Sequence, residues 1–580
     1  MYRTQNVADV LCESLHEQGV RTLFGVPGTQ SVVLYESLRR SRLRTITACS
    51  ELNAVFMANG YYRASGEPGV VITIGGPGFT FGLAGLAEAR HDSVALLHIV
   101  CSSDKKPGKS FQLQDVDVAV ISGSVAKSFH RITSPDAVQA VITDAYQETR
   151  NGEPSPVVVE IPASVLGQPA SPAHSPKSPA SRPISAVSDD MVRSLSTRLL
   201  ASRRPLLLIG HGCAGNAHDT VLLAEMLNAA VVTNCSGRGI IPDDHHLAIC
   251  SDFTGWGVDL VNELIDSSDC ILVLGCKLSH NGTSGFRLRL PPERTIQVDA
   301  SPQVLGANYA IDLGLVADVP ELLPALIQRL KEEKSGSPGW AADEIAAWQS
   351  RFHAKRLDSV PKVVEPRISS LKDINAFFDT LQQALPATAA VVTDSGLHQV
   401  LTRRLLQIKS PRGLIVPADF QSMGYGIPAA IGAACSVDDR CVVAIIGDGG
   451  FAMSGLELST AVREQIDLLV IVFSDGFLGQ IRFEQLKEYG IEFGTRLGTF
   501  SVRGIAESVG ASFIELKEDA TASLRTALDL KGVRVIEVPL KDVPQLKAVA
   551  TKQLAREFIK QMPGTHSARK LLKKIRKSLQ

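Results

Sequence analysis

Continuous apolar runs of five to seven residues alternate along this chain with stretches whose apolar positions recur at helical spacing. Runs this short, without polar alternation, predict strands buried on both faces, and the intervening periodicity predicts helices covering a parallel sheet. The pattern repeats in three blocks. The first opens with a helix over Val7 to Gln18 and continues through the strands TLFGVPG, VVITIGGPG, ALLHIVC and PVVVEIP. The second holds PLLLIG, AAVVTNCSG, CILVLGC and TIQVDAS, and the third AAVVTDSG, GLIVPAD, CVVAIIGDGG, DLLVIVFSDG and VRVIEVP. The fold class is therefore α/β, with three doubly wound parallel-sheet domains.

Breaks in the pattern place the boundaries. Residues 167–188 are rich in Pro, Ser and Ala, a linker composition that separates a first domain (1–166) from a central one (189–335). A connecting segment (336–366) carrying KEEKSGSPGW leads to the third domain (367–545), followed by a basic tail (546–580) whose Leu571, Leu572, Ile575 and Leu579 share one helical face. Such a tail suits either a membrane surface or acidic partner, or a subunit-docking helix.

Composition narrows the function. With 59 Lys+Arg against 60 Asp+Glu the chain carries a formal charge of −1, which argues against nucleic acid as a partner. No apolar run reaches a bilayer span and the start is not a signal peptide, so a cytoplasmic protein without a transmembrane segment is expected. Ten cysteines without a CxxC pair predict reduced thiols, with neither a disulfide framework nor a zinc site.

Chemistry concentrates in the third block. Gly447-Asp448-Gly449-Gly450 and Ser474-Asp475-Gly476-Phe477 each follow an apolar strand, so both stand at the carboxyl ends of strands in one parallel sheet, where α/β proteins bind ligands. Gly449 and Gly450 let backbone N–H groups approach a phosphate, at the start of a helix expected from about Ala452. Asp448 and Asp475, 27 positions apart, would repel that phosphate unless a cation such as Mg²⁺ bridges them.

These two turns resemble the cofactor motif of the thiamine diphosphate enzymes of the acetolactate synthase and pyruvate decarboxylase group. The resemblance implies thiamine diphosphate and Mg²⁺ as cofactors, with Asp448, Asp475 and the Phe477 carbonyl as metal ligands and Leu478 beside them. Here Ser474-Asp475 replaces the family's Asn-Asn or Asn-Asp pair. ADFQSMGYGIPAAIGA is similar to the segment that bends the cofactor, with Met423 as the wedge and the Gln421 carbonyl facing the aminopyrimidine. VVTDSGLHQ resembles the diphosphate loop, which carries over Ser395 and His398, and Leu397 stands where acetolactate synthases have Gln. SELNAVFMANGYYRASG resembles the segment of the catalytic glutamate, here Glu51, with Pro27 and Thr73 lining the same pyrimidine pocket. A carboxyl in that role holds a proton at the pyrimidine ring and is expected in an apolar pocket, for which Leu52, Ala54, Val55 and Phe56 are at hand.

Substrate positions are read the same way. FQLQDVDVAVISGSVAK resembles the segment that sets a Gln over the thiazolium, Gln114 by count from His91-Asp92-Ser93, or Gln112 if the loop shifts. Thr29 stands where decarboxylases carry Asp or Ser and acetolactate synthases Gly. The His-His pair and the later Glu of simple decarboxylases are missing, with Ile481 at the Glu position. The expected activity is decarboxylation of a 2-oxo acid donor followed by ligation of the acyl fragment to a second carbonyl acceptor. A non-ligating decarboxylase and a non-catalytic regulatory subunit are the alternatives. The resemblance also implies a homodimer or dimer of dimers, with Glu51 from one subunit facing Asp448 of another. In the central block Gly210-His-Gly212-Cys-Ala-Gly215 matches GxGxxG, but the next strand ends in Asn234 and Cys235 rather than an acid, so NAD is not expected. LVLGCKLSHNGTSG lacks the Arg and Asp pattern of flavin-binding relatives, so FAD is not expected either.

Overall fold

The computed structural model describes residues 5–170, 187–333, 339–362, 364–368, 371–436, 440–516, 519–542 and 544–560. They form three α/β units, as the alternating pattern requires. The first sheet contains β1 (Thr22–Gly25), β2 (Arg44–Thr47), β3 (Gly69–Ile74), β4 (Leu96–Ser102), β5 (Ser128–Arg131) and β6 (Pro156–Pro162), in the order β2-β1-β3-β4-β6-β5. The second contains β7 (Pro205–Ile209), β8 (Ala230–Thr233), β9 (Ala248–Ser251), β10 (Cys270–Leu274), β11 (Thr295–Asp299) and β12 (Leu313–Val316), in the order β12-β11-β10-β7-β8-β9. The third contains β13 (Val364–Pro366), β14 (Ala390–Thr393), β15 (Leu414–Ile415), β16 (Val442–Gly447), β17 (Leu468–Ser474), β18 (Ser512–Ile514) and β19 (Val533–Asp542). Its order is β13-β19-β17-β16-β14-β15, with β18 also on β19.

Every pairing between the named strands is parallel except β13 with β19, which corrects the expectation of wholly parallel sheets. Each sheet has a switch point where successive connections leave in opposite directions: between β1 and β3, between β7 and β10, and between β14 and β16. Crevices open at the carboxyl ends of strands there, and the candidate residues of the first and third domains all lie at or beside those ends.

The expected connecting segment is more than a connector. Its helix Ala342–Asp358 sends Ile345 and Phe352 into a core of the central unit with Leu206, Val261 and Ile271, and β13 joins the third sheet. Part of the expected tail is also ordered structure. The helix Pro544–Lys560 lies against the helix Gly479–Tyr489, with Gln553 donating to the Glu488 carbonyl at 2.6 Å. The basic face at Leu571–Leu579 and most of the Pro/Ser-rich linker lie outside the described residues.

The first and third units share one core. The helices Glu51–Ser65 and Gly426–Ser436 cross so closely that a methyl group at Gly60 would overlap the Ala429 carbonyl, and one at Gly432 the Met57 carbonyl. Phe56 and Met57 pack with Ile427, Ala430 and Ile431, and the Tyr425 hydroxyl donates to Asn59 Oδ1 at 2.8 Å. The ten cysteines are unpaired, seven of them buried, and no described helix is long and apolar enough to cross a membrane.

Candidate active site

The third-domain residues converge. Ser395 and His398 follow β14, Asp448, Gly449 and Gly450 follow β16, and Asp475, Phe477 and Leu478 follow β17, because each strand ends at the same edge of the sheet. With Gln421 and Met423 they line one cavity of about 200 Å³. Gly447, Gly479, Gln480 and Ile481 complete much of its wall, and every lining residue belongs to the third domain.

Asp448 ties the two turns together. Its Oδ1 accepts Gly449 N–H at 2.9 Å, and its Oδ2 accepts Gly476 N–H at 2.7 Å and Asp475 N–H at 3.1 Å. Burial pushes this carboxyl above the ordinary carboxylate range, and the same three N–H groups pull it back. A carboxylate offers about four lone-pair sites, so three accepted bonds leave one directed elsewhere, which fits a cation ligand. The helix begins at Asp448 itself rather than near Ala452, so Gly449 and Gly450 occupy its first turn. A methyl group at Gly450 would come within 2.7 Å of Asp394 Oδ2, so this position admits only glycine against that carboxylate. Asp475 Oδ1 accepts Phe477 N–H at 2.8 Å. The Gly476 carbonyl takes Leu497 N–H and the Leu478 carbonyl takes Arg482 N–H, and the Phe477 carbonyl between them has no part in that set. Ser474 is turned away, donating to Glu537 Oε1 at 2.6 Å. Among the described residues no three His, Cys, Asp or Glu side chains cluster for a metal.

Asp394 was not singled out by the sequence reading, and it organises the opposite wall. It is fully buried and accepts N–H groups from Ser395 at 2.8 Å, Gly424 at 3.1 Å and Gly426 at 3.0 Å, joining the Ser395 turn to the Met423 segment. His398 Nε2 meets the Asp394 carbonyl at 3.0 Å, which fixes its proton on that nitrogen. Burial holds its pKa down to about 4, so near neutrality Nδ1 presents a lone pair toward Gly447.

The first-domain residues gather at a separate place. Pro27 and Thr29 are exposed after β1, and Glu51 is the first residue of its helix after β2, with Oε1 beside Gly78. Thr73 is fully buried behind it, its hydroxyl bonded to His98 Nε2 at 2.9 Å. Of the apolar neighbours expected around Glu51, Ala54, Val55 and Phe56 are buried in the core shared with the third unit and Leu52 packs partly buried against it, with Ala54 and Val55 on the helix face that Glu51 begins. Gln114 and Gln112 are distinguished by their bonds. Gln114, at positive φ, accepts from Gln30 and sits over Gly76, whereas Gln112 is bound to Lys106 and Lys109 of its own loop. Gln30 also donates to Ser103 Oγ at 3.0 Å, a contact across 73 positions that only the fold reveals.

The first domain also reaches the Met423 segment of its own chain. Glu88 Oε2 accepts Ser422 N–H at 2.9 Å, and Asp92 accepts Ala418 and Asp419 N–H, each at 2.9 Å, while paired with buried Arg63. Burial, and Asp92 beside it, push the Glu88 carboxyl up.

The GxGxxG stretch follows β7 at the central switch point, but Gly210 N–H and Gly212 N–H donate to the Leu274 and Gly275 carbonyls, each at 3.0 Å. Those amides are therefore spent on the adjacent loop and cannot cradle a phosphate. The crevice itself opens into a cavity of about 350 Å³ with Lys277, Arg150 and Arg412 on its walls. Five acids line it, Asp92, Glu153, Asp299, Asp318 and Asp419, none of them from β8, and Asp299, at the end of β11, is pushed up to about 6 by burial.

Comparison with protein families matches residues 5–120 to the thiamine pyrophosphate enzyme N-terminal TPP binding domain, 192–326 to the central domain and 394–538 to the C-terminal TPP binding domain. Over 550 residues the chain is 30% identical to a Pseudomonas aeruginosa protein named as a probable 2-ketoarginine decarboxylase, spanning 92% of this chain and 94% of that one. It is 27% identical over 540 residues to the large subunit of acetolactate synthase isozyme 1 of Escherichia coli, spanning 92% and 93%. To chloroplastic acetolactate synthase 1 of Nicotiana tabacum it is 26% identical over 553 residues, spanning 92% and 81%.

Proposed function

Since the chain belongs to the thiamine pyrophosphate enzyme family, we propose that it decarboxylates a 2-oxo acid and ligates the remaining acyl fragment to a second carbonyl compound. The observation that carries this reading is the third-domain cavity, where Asp448 spans two strand-end turns opposite Gln421 and Met423. Asp448, Asp475 and the Phe477 carbonyl would hold Mg²⁺, and Ser395, His398, Gly449 and Gly450 would face the diphosphate. When bound, thiamine pyrophosphate supplies the nucleophilic carbon and the electron sink for loss of CO₂. Glu51 would hold a proton at the pyrimidine ring, and Gln114, with Thr29 beside its partner Gln30, would face the substrate.

One feature supports ligation over release of an aldehyde. Ile481, half exposed at the cavity mouth, stands at the position where the family's simple decarboxylases have Glu, and its neighbours Leu478 and Gln480 on the wall bring no acid in its place. Without a proton donor, capture of the acyl fragment by a second carbonyl outpaces its protonation. Ligation after decarboxylation involves no net oxidation, so the reaction requires no redox group in the central cavity.

Glu51 lies outside the cavity of its own chain, and both places are rimmed by exposed apolar side chains. Val32, Phe81 and Leu113 are at least half exposed in the first domain, and Met453 and Leu456 in the third. A second copy would cover these surfaces and bring Glu51 of one chain to Asp448 of another. Incubating the enzyme, thiamine pyrophosphate and Mg²⁺ with 2-oxo acids, with and without aldehyde acceptors, tests the reading by mass spectrometry. Hydroxyketone products support it. Aldehyde as the sole product would instead establish the second reading, a simple decarboxylase, which the name of the 30%-identical Pseudomonas relative favours.

A further inference from the structure

Glu457 lies in the third domain, fully buried, in a turn that follows the Asp448–Ser454 helix. Its partners come mainly from the first domain. Cys49 N–H donates to both carboxylate oxygens, at 3.0 and 3.1 Å, and Asn53 Nδ2 donates to Oε2 at 2.6 Å. Thr460 adds its hydroxyl at 2.6 Å. Cys49 and Asn53 bracket Ser50, the N-cap whose hydroxyl accepts Asn53 N–H, and Glu51, the first helical residue.

We infer that Glu457 is a positioning residue for Glu51, fixing the start of its helix from the third domain of the same chain. This rests on the assignment of Glu51 and on a site shared between subunits. A helix start frays easily because its first amides have no partner within the helix. Here one amide before the N-cap and one side chain in the first turn are clamped by a single buried carboxylate. The Glu51 carboxyl between them is then held to one location without touching Glu457. Removing the carboxylate leaves the buried Asn53 amide unsatisfied and releases the N–H of the exposed Cys49, and the segment shifts to reach water or other partners. The consequence falls on proton handling at Glu51 and leaves the Asp448 cavity, on other strand ends, intact.

The test uses full-length chains and needs no substrate. Bound thiamine pyrophosphate exchanges its thiazolium hydrogen with deuterium, read by NMR after acid quench. Glu457→Ala is expected to slow this exchange about 100-fold, the scale of a misplacement near 1 Å, while calorimetry shows thiamine pyrophosphate and Mg²⁺ binding within about threefold of the parent. Glu457→Gln keeps one carbonyl for the Cys49 amide and should fall between, which keeps the question answerable if the Ala variant does not fold. Hydrogen exchange of the apoprotein should rise over residues 46–53 and not over 447–454.

Mixed oligomers locate the effect. Pairing Glu457→Ala with Asp448→Ala chains should restore fast exchange in one site, and pairing it with Glu51→Gln chains should not. Normal exchange in both Glu457 variants, or equal loss in both pairings, overturns the inference. The pairing of Glu51→Gln with Asp448→Ala is the control, and its failure to restore exchange would overturn the shared site alone.

Discussion

Asp448 Oδ2 accepts the Gly476 N–H at 2.7 Å, so the carboxylate ending β16 holds the turn that ends β17. The strands are parallel neighbours, and the residues between the two turns are the crossover that returns the chain to the same edge. A motif pair that looks arbitrary in the sequence is thus a local contact in the sheet. Removing Asp448 should disturb both turns, not one.

Asp448→Ala is therefore expected to weaken Mg²⁺-dependent thiamine pyrophosphate binding by more than about 100-fold, on the scale of losing a metal ligand together with its surroundings. Isothermal titration with and without Mg²⁺ measures this. Unchanged affinity would remove Asp448 and the metal from the assignment.

Glu51→Gln should lower turnover by about 100- to 10,000-fold, the usual share of a positioned proton-transfer group. Cofactor affinity should stay near the parent value, because the diphosphate and Mg²⁺ would be held by the Asp448 cavity and Gln fills the place of Glu51. Steady-state rates alongside titration of thiamine pyrophosphate separate the two effects, and near-normal turnover in the loaded variant would contradict the role.

Gly432→Ala tests the packing of the first unit on the third. Its methyl group would enter the space of the Met57 carbonyl, on a helix buried throughout its middle turns. Overpacking of this kind costs about 1 to 3 kcal/mol, which urea unfolding monitored by circular dichroism can resolve. Equal stability would mean that the two helices separate without cost.

Two buried histidines predict an acid-labile fold. Burial lowers His98, in tilted ring contact with Phe79 and bonded to Thr73, to about 3 and His398 to about 4, from 6.5. Between 6.5 and those values the unfolded chain binds protons that the native chain does not. The stability these neutral rings contribute is thus complete above pH 6.5 and lost as pH falls through the window. By about pH 5.5 each should have withdrawn about 1.4 kcal/mol. Urea midpoints at about pH 7.5 and 5.5 measure the sum, to which His211, also lowered to about 3 by burial, adds in the same direction, and His98→Asn should shallow the dependence. A pH-independent midpoint would contradict it.

Central strands were legible along the chain, and the edges were not. β4, β7, β10 and β17 are buried on both faces, so their apolar runs are continuous. β2, β5 and β12 are half exposed and carry mixed residues such as Arg44 and His130, which no period marks as strand. The fingerprint at Gly210 illustrates the opposite failure. Its spacing is correct for a phosphate loop, yet whether two amides remain open depends on the end of β10, where Leu274 takes the Gly210 N–H from 64 positions away and Gly275 takes the Gly212 N–H from 63.

The sequence by itself determined the three α/β units, the two glycine-flanked aspartates and Glu51 as the residues to watch, because buried strands and strand-end turns leave local signatures. Only the tertiary structure decided which groups meet. Asp394 joining Ser395 to Gly424, Gln30 donating to Gln114, and Glu457 clamping Cys49 and Asn53 are contacts between segments that no local period connects. A buried carboxylate is recognisable only when its donors are known, and those donors arrive when the sheets close on one another.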